Sequence, residues 1–144
     1  KFSLIAIDPP YGDMMNREKT GESIKKNQST DATPFTKNKK DLGNMNWSEF
    51  RENFIETIKY SMPYLKDRGH YVVFIKDLQP KEGETNLLHS DLIEEINKIE
   101  GLNYIGMKIW VDESINLYPY GYPHSFVSNQ LHQYIMFFRK KLKK

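Results

Sequence analysis

Cysteine is absent from the 144 residues, which removes disulfides, thiolate zinc sites and cysteine nucleophiles together. That absence fits a reducing compartment. Charge of one sign is also scarce: 21 Lys and Arg stand against 19 Asp and Glu, a net of +2. Overall charge therefore does not announce a nucleic-acid partner. No apolar run approaches the roughly 20 residues that cross a bilayer, and the N-terminus lacks the order of a signal peptide. A cytoplasmic protein with no membrane partner is expected. No internal repeat is present, and His70, His89, His124 and His132 lack metal-ligand spacing, so no metal site is expected.

What is present reads as one α/β domain over residues 1–144. Phe2 to Ile7 is an almost unbroken apolar run, as for a parallel strand covered on both faces. The chain starts at Lys1 inside that run, which points to material upstream. Residues 12 to 46 are poor in apolar side chains and form a long polar loop, expected to be mobile or functional. "NWSEFRENFIETIKYSMPYL" then predicts a helix, with Asn46 as cap, Glu49 at the reciprocal capping position, and Phe50, Phe54, Ile58, Met62 and Leu65 on one face. Pro63 should end or kink it near Met62.

"HYVVFIK" predicts a buried strand after Gly69, and "LLHSDLIEEINKIEG" a helix through Leu88, Leu92, Ile96 and Ile99 that closes at Gly101. "NYIGMKIWV" and "LHQYIMFFRK" predict two more strands, joined by "NLYPYGYPHSFVSNQ" and able to pair as a hairpin at one edge. Strands alternating with helices imply a parallel sheet with crossover connections.

The chemistry is concentrated in "DPPYG", residues 8 to 12, where the first strand ends. Ligands of open α/β sheets bind at the carboxyl ends of strands. Asp8 accepts hydrogen bonds when ionised and is held extended by the proline that follows. Pro9 and Pro10 have no N–H, so this stretch offers carbonyl oxygens without competing donors. Rigid acceptors beside the Tyr11 ring suit an exocyclic amino group on a nucleobase, which needs two acceptors and a stacking surface. The acceptors at Asp8 and the Pro9 carbonyl would draw the amine nitrogen toward tetrahedral geometry and aim its lone pair. The competing reading is a proline-rich turn without chemistry.

"DPPY" resembles the catalytic motif of the S-adenosylmethionine-dependent amino-methyltransferases that modify adenine N6 or cytosine N4 in DNA. The long polar loop, "YLKDRGHYVVFI", "MKIWV" and "HQYIMFFRK" are similar, in order, to the second half of that catalytic domain. The resemblance implies a Rossmann-like class I methyltransferase fold, three-layered αβα, of which this chain is the portion from the catalytic strand onward with a C-terminal β-hairpin. It implies Asp8 and Pro9 on the target amine, Pro10 for rigidity, and Tyr11 stacked on a flipped base. S-adenosyl-L-methionine is the implied cofactor and DNA the implied partner. An acid in the first motif position is more typical of the adenine enzymes.

One departure stands out: no two glycines are separated by a single residue, so the family's glycine-rich cofactor loop has no counterpart. Its preceding strand is missing too, which would leave an apolar strand edge. Another segment or chain is therefore expected to carry the cofactor-binding half. Two alternatives remain open, a tRNA guanosine N2-methyltransferase, whose motif "DPPYG" also resembles, and a noncatalytic subunit of the same fold.

Other candidates are Lys37, Lys39 and Lys40, placed near phosphate on a loop that orders with nucleic acid, or else solvated surface. Tyr118, Tyr120, Tyr122, His124 and Phe126 line the target-base pocket, stack on unpaired nucleotides, or pack on the sheet as an aromatic hairpin. Lys76, Asp77 and Gln79 follow a strand at its carboxyl end, where they face cofactor or DNA or, as the simpler reading, form a polar loop. His132 reads as structural, and the terminal "RKKLKK" as solvated surface.

Overall fold

Described in the computed structural model are residues 1–12, 36–77, 87–114 and 131–142. They contain strand β1 (Phe2–Ile7), helix α1 (Trp47–Ser61), strand β2 (Leu65–Ile75), helix α2 (Leu88–Asn97), and strands β3 (Leu102–Val111) and β4 (His132–Lys140). The chain divides into two units, Lys1–Asp8 with Ser61–Lys144, and Pro9–Tyr60.

The first unit is a four-stranded sheet in the order β1-β2-β4-β3, backed by α2. β1 pairs parallel to β2, with Ile5 beside Tyr71 and Ile7 beside Val73. β4 runs antiparallel between β2 and β3, placing Tyr134 opposite both Ile75 and Ile109. The last two strands pair as expected, but β3 takes the edge and β4 the interior. Residue types explain the choice. β4 is apolar on both faces, with Met136 and Phe138 on one and Ile135 and Phe137 on the other, whereas β3 carries Lys108 and a bulge at Gly106, devices that suit an edge.

Tyr71, Val73, Ile75, Met136 and Phe138 alternate onto one face and are fully buried, together with Leu92 and Ile96 of α2. Each such side chain contributes on the order of 1.5–3 kcal/mol. The opposite face differs. Phe2 and Leu4 are 64% and 55% exposed, Trp110 is 56% exposed, and Phe74, Ile135 and Phe137 are half-buried. Burial of β1 on both faces, expected from its apolar run, is thus corrected. Among the described strands β1 pairs with β2 alone, and α2 lies on the other face of the sheet.

β2 starts five residues before the sequence pattern "HYVVFIK" suggests. Leu65 pairs with Phe2 and the next partner of β1, Leu4, meets His70, so residues 66–69 bulge out. Arg68 is left-handed there (φ 60°). A side chain at Gly69 would sit 2.8 Å from both Leu65 Cδ1 and Lys66 O, so the bulge closes only around glycine. Beside it Lys140, 9% exposed, donates from Nζ to Met62 O at 2.6 Å and Leu65 O at 2.7 Å. The basic tail is therefore not wholly solvated: Lys140 adds a charged donor to Met62 O, which also accepts the Leu65 N–H of the short 3-10 turn Met62–Tyr64, and to Leu65 O, while α1 ends at Ser61 ahead of Pro63 as predicted.

In the second unit α1 begins at a reciprocal capping box. Asn46 Oδ1 accepts from the Glu49 N–H at 3.0 Å, and Glu49 Oε2 accepts from the Asn46 N–H at 3.2 Å. Phe50, Phe54 and Ile58 are buried along one face, with Trp47, Phe50 and Phe54 stacked in series at 5.2 and 5.4 Å.

Candidate active site

Asp8 is exposed at the carboxyl end of β1, and the division between the two units falls after it. The chain then buries Pro9, half-buries Pro10 and Tyr11, and buries Gly12. Gly12 has a φ of +63°, and a β-carbon there would lie 2.9 Å from Met45 O. Both facts demand glycine, because backbone occupies the place of a side chain. The glycine of "DPPYG" thus closes the loop of residues 9–12 onto residues 45 and 46.

Residues 36–46 are built by short polar side chains folding back on the main chain. Asp41 accepts from the Gly43 N–H and from Thr36 Oγ1, both at 2.9 Å. Asn44 Nδ2 donates to Thr36 O at 2.8 Å and Asn38 O at 2.9 Å. Asn38 Oδ1 accepts from the Lys40 N–H. These Asx-type turns fix the backbone where no apolar pattern could. Within the same unit, a β-carbon on Gly43 would lie 3.5 Å from Pro10 Cβ, so the 3-10 turn Leu42–Asn44 rests close to the proline pair.

An open cavity of about 500 Å³ lies in this unit, lined by Thr36, Lys37, Lys39, Asn44, Met45, Glu49 and Asn53. Lys37 and Lys39 are therefore brought together, while Lys40 is exposed and does not line the cavity. Tyr118, Tyr120, Tyr122, His124 and Phe126 lie outside the described residues, as does Gln79.

At the carboxyl end of β2, Asp77 is 7% exposed. Its Oδ1 accepts from the His89 backbone N–H at 3.0 Å and its Oδ2 meets His89 Nδ1 at 2.7 Å. The His89 ring stacks on Tyr134 with centroids 4.0 Å apart, and His132 meets Tyr134 edge-on at 5.0 Å. Burial, then the nearby Asp77 charge, pushes the Tyr134 phenol above its ordinary value. Asp77 is thus no loose loop residue but the cap of α2, whose own N-cap position, Leu87, has no capping side chain. A helix starting at Leu88 without a local cap was the available signal. Lys76 lines a small pocket with Trp110, Asp112, Leu131, His132 and Gln133. Asp112 is held below the usual carboxylate range by hydrogen bonds from Ser114. No trio of metal-ligating side chains occurs among the described residues.

No protein-family model and no curated protein matches the chain. It is similar to two solved structures of a candidate DNA modification methylase from Thermus thermophilus, a selenomethionine form and one complexed with S-adenosyl-L-methionine. Both are 17% identical, with TM-scores of 0.58 and 0.56, over 97% of this chain and 45% of theirs. The chain thus spans less than half the length of the structures that it matches. With its parallel β1–β2 pair and antiparallel β4, the chain has a Rossmann-like, methyltransferase-type α/β fold, in a part of its full extent.

Proposed function

We propose that this chain is the catalytic-motif portion of an S-adenosylmethionine-dependent DNA amino-methyltransferase, acting on adenine N6 and, as second choice, cytosine N4. The observation that carries the reading is Asp8-Pro9-Pro10-Tyr11 at the carboxyl end of a parallel strand in a methyltransferase-type fold. Asp8 and the Pro9 carbonyl accept the two amine hydrogens, which directs the nitrogen lone pair, and Tyr11 stacks on the extruded base. Pro10 keeps the loop rigid. The target-base role of Tyr118, Tyr120, Tyr122, His124 and Phe126 remains part of this proposal.

S-adenosyl-L-methionine is the methyl donor of the proposal, but the chain's residues do not fit a holder of that cofactor. Its eight glycines include no pair with one residue between, and the described residues act only on the acceptor side. A further segment or chain supplies the cofactor half. Among the described strands β1 is at a sheet edge, and this with the exposed Phe2 and Leu4 supports a covering partner there.

The test is to incubate the longest form the gene encodes with labelled S-adenosyl-L-methionine and either DNA or tRNA, and to identify modified nucleosides by mass spectrometry. N6-methyladenine or N4-methylcytosine from DNA is expected. Methylguanosine from tRNA would move the protein to the RNA enzymes, and label in neither would favour the noncatalytic subunit.

A further inference from the structure

The cavity beside α1 has an unusual lining for its size. Its volume of about 500 Å³ lies within the range of small-molecule sites, yet six of its seven lining residues are polar and only Met45 is apolar. An apolar ligand would gain little there. The polar groups are also sorted by kind.

Both hydrogens of Asn44 Nδ2 are spent on Thr36 O and Asn38 O, so its side chain has only the acceptor Oδ1 to present. Asn53 Nδ2 donates to Glu49 O at 2.8 Å, which commits one of its two hydrogens. Glu49 Oε2 takes the Asn46 N–H and its carboxylate keeps further acceptor capacity. Acceptors therefore dominate this part of the lining. Lys37 and Lys39 supply positive charge, and neither has an acidic partner among the described residues. A fitting ligand carries N–H donors at one end and negative charge at the other. A bare cation is disfavoured by the two ammonium groups, and a bare anion by Glu49.

We propose that this cavity is a nucleotide subsite, taking one unpaired nucleotide with its phosphate on Lys37 and Lys39 and an amine-bearing base edge against Asn44, Glu49 and Asn53. Met45 links the cavity to the loop of residues 9–12, since it lines the cavity and its carbonyl oxygen would lie 2.9 Å from a β-carbon on Gly12. A nucleotide seated there is next to that loop without occupying it. The proposal deepens the nucleic-acid methyltransferase reading and rests on it only for the strand's origin. It makes residues 36–53 a base-reading element in a chain where none is evident from sequence.

The experiment is a titration of the longest encoded form with 5′-dAMP, 5′-dTMP, deoxyribose 5-phosphate and inorganic phosphate, followed by amide NMR shifts. dAMP should move the signals of Asn44, Met45, Glu49 and Asn53, and dTMP, which has no exocyclic amine, should bind about fivefold or more weakly. Lys37→Ala with Lys39→Ala should weaken both nucleotides alike and flatten the salt dependence. Asn53→Leu should shrink the dAMP preference. Unmoved signals at those four residues, or inorganic phosphate moving them as strongly as dAMP, would overturn the proposal. The titration uses the unaltered protein, so it does not depend on any variant folding. dAMP binding without methyl transfer to nucleic acid would sink the methyltransferase reading and leave the subsite standing.

Discussion

Asp8 is exposed and contributes nothing to the buried core, so its chemistry can be separated from its structure. Asp8→Ala should lower methyl transfer by about 10²-fold or more, the scale of losing one preorganised polar contact in a transition state. Its melt should match the parent. Retained activity would remove Asp8 from the mechanism. Lys140 is the opposite case, buried and bonded to two carbonyls. Lys140→Met keeps the stem but removes the charged donor from Met62 O, which retains the Leu65 N–H, and from Leu65 O, and should cost about 1–3 kcal/mol in denaturant unfolding. An unchanged midpoint would mean that water reaches those carbonyls.

Tyr71 gives a pH-dependent counterpart. Burial pushes its phenol above the ordinary value, and the Ser61 hydrogen bond at 3.2 Å opposes this in part. The unfolded phenol ionises near about pH 10, whereas the folded one holds its proton higher. Its contribution is therefore whole below that pH and is lost as pH rises through the folded value. Unfolding measured from pH 9 to 11 should show a steeper loss in the parent than in Tyr71→Phe.

At the scale of elements, α2 depends on a residue outside itself. Asp77 holds the His89 N–H and ring, and the ring lies flat on Tyr134. Asp77→Ala should cost about 1–2 kcal/mol, as for a lost cap, and should loosen amide exchange protection first at the start of α2. Uniform loss of protection across the sheet would instead make Asp77 part of the global core.

The two helices and the strand periods were legible because they are local. Phe50, Phe54 and Ile58 recur at helical spacing, and Asn46 with Glu49 announces the first turn. Strand order was only half legible, since nothing in "HQYIMFFRK" says which neighbours it will take. The start of β2 was hidden because the bulge at residues 66–69 breaks alternation. In the site, the motif itself could be read. The cavity could not, because Asn44 and Asp41 act through bonds to backbone rather than through any repeating pattern. The same limit hid Asp77 and His89, a pair twelve residues apart.

For the molecule as a whole, the described sheet ends in β1 and β3 and shows exposed apolar side chains at Phe2, Leu4 and Trp110. No helix among the described residues is long and apolar enough to cross a membrane, so this apolar surface is not a spanning helix. Leu4→Lys should leave the unfolding midpoint of these residues within about 0.5 kcal/mol, the usual limit for an exposed site. It should nevertheless lower methyl transfer by the longest encoded form, where the proposed partner segment covers β1. A large drop in stability of the isolated chain would show Leu4 already covered.

The placement of β4 also sets a timetable. Of the four described strands it is the last to be made, yet it is the seam that joins β3 to β2. Until residues 132 to 140 leave the ribosome, β3 lacks its one partner among the described strands, and Ile105, Met107 and Ile109 stand on an unprotected ribbon. A nascent chain halted between these two strands would therefore be sticky rather than merely shorter. Chaperone dependence should peak in that window of synthesis.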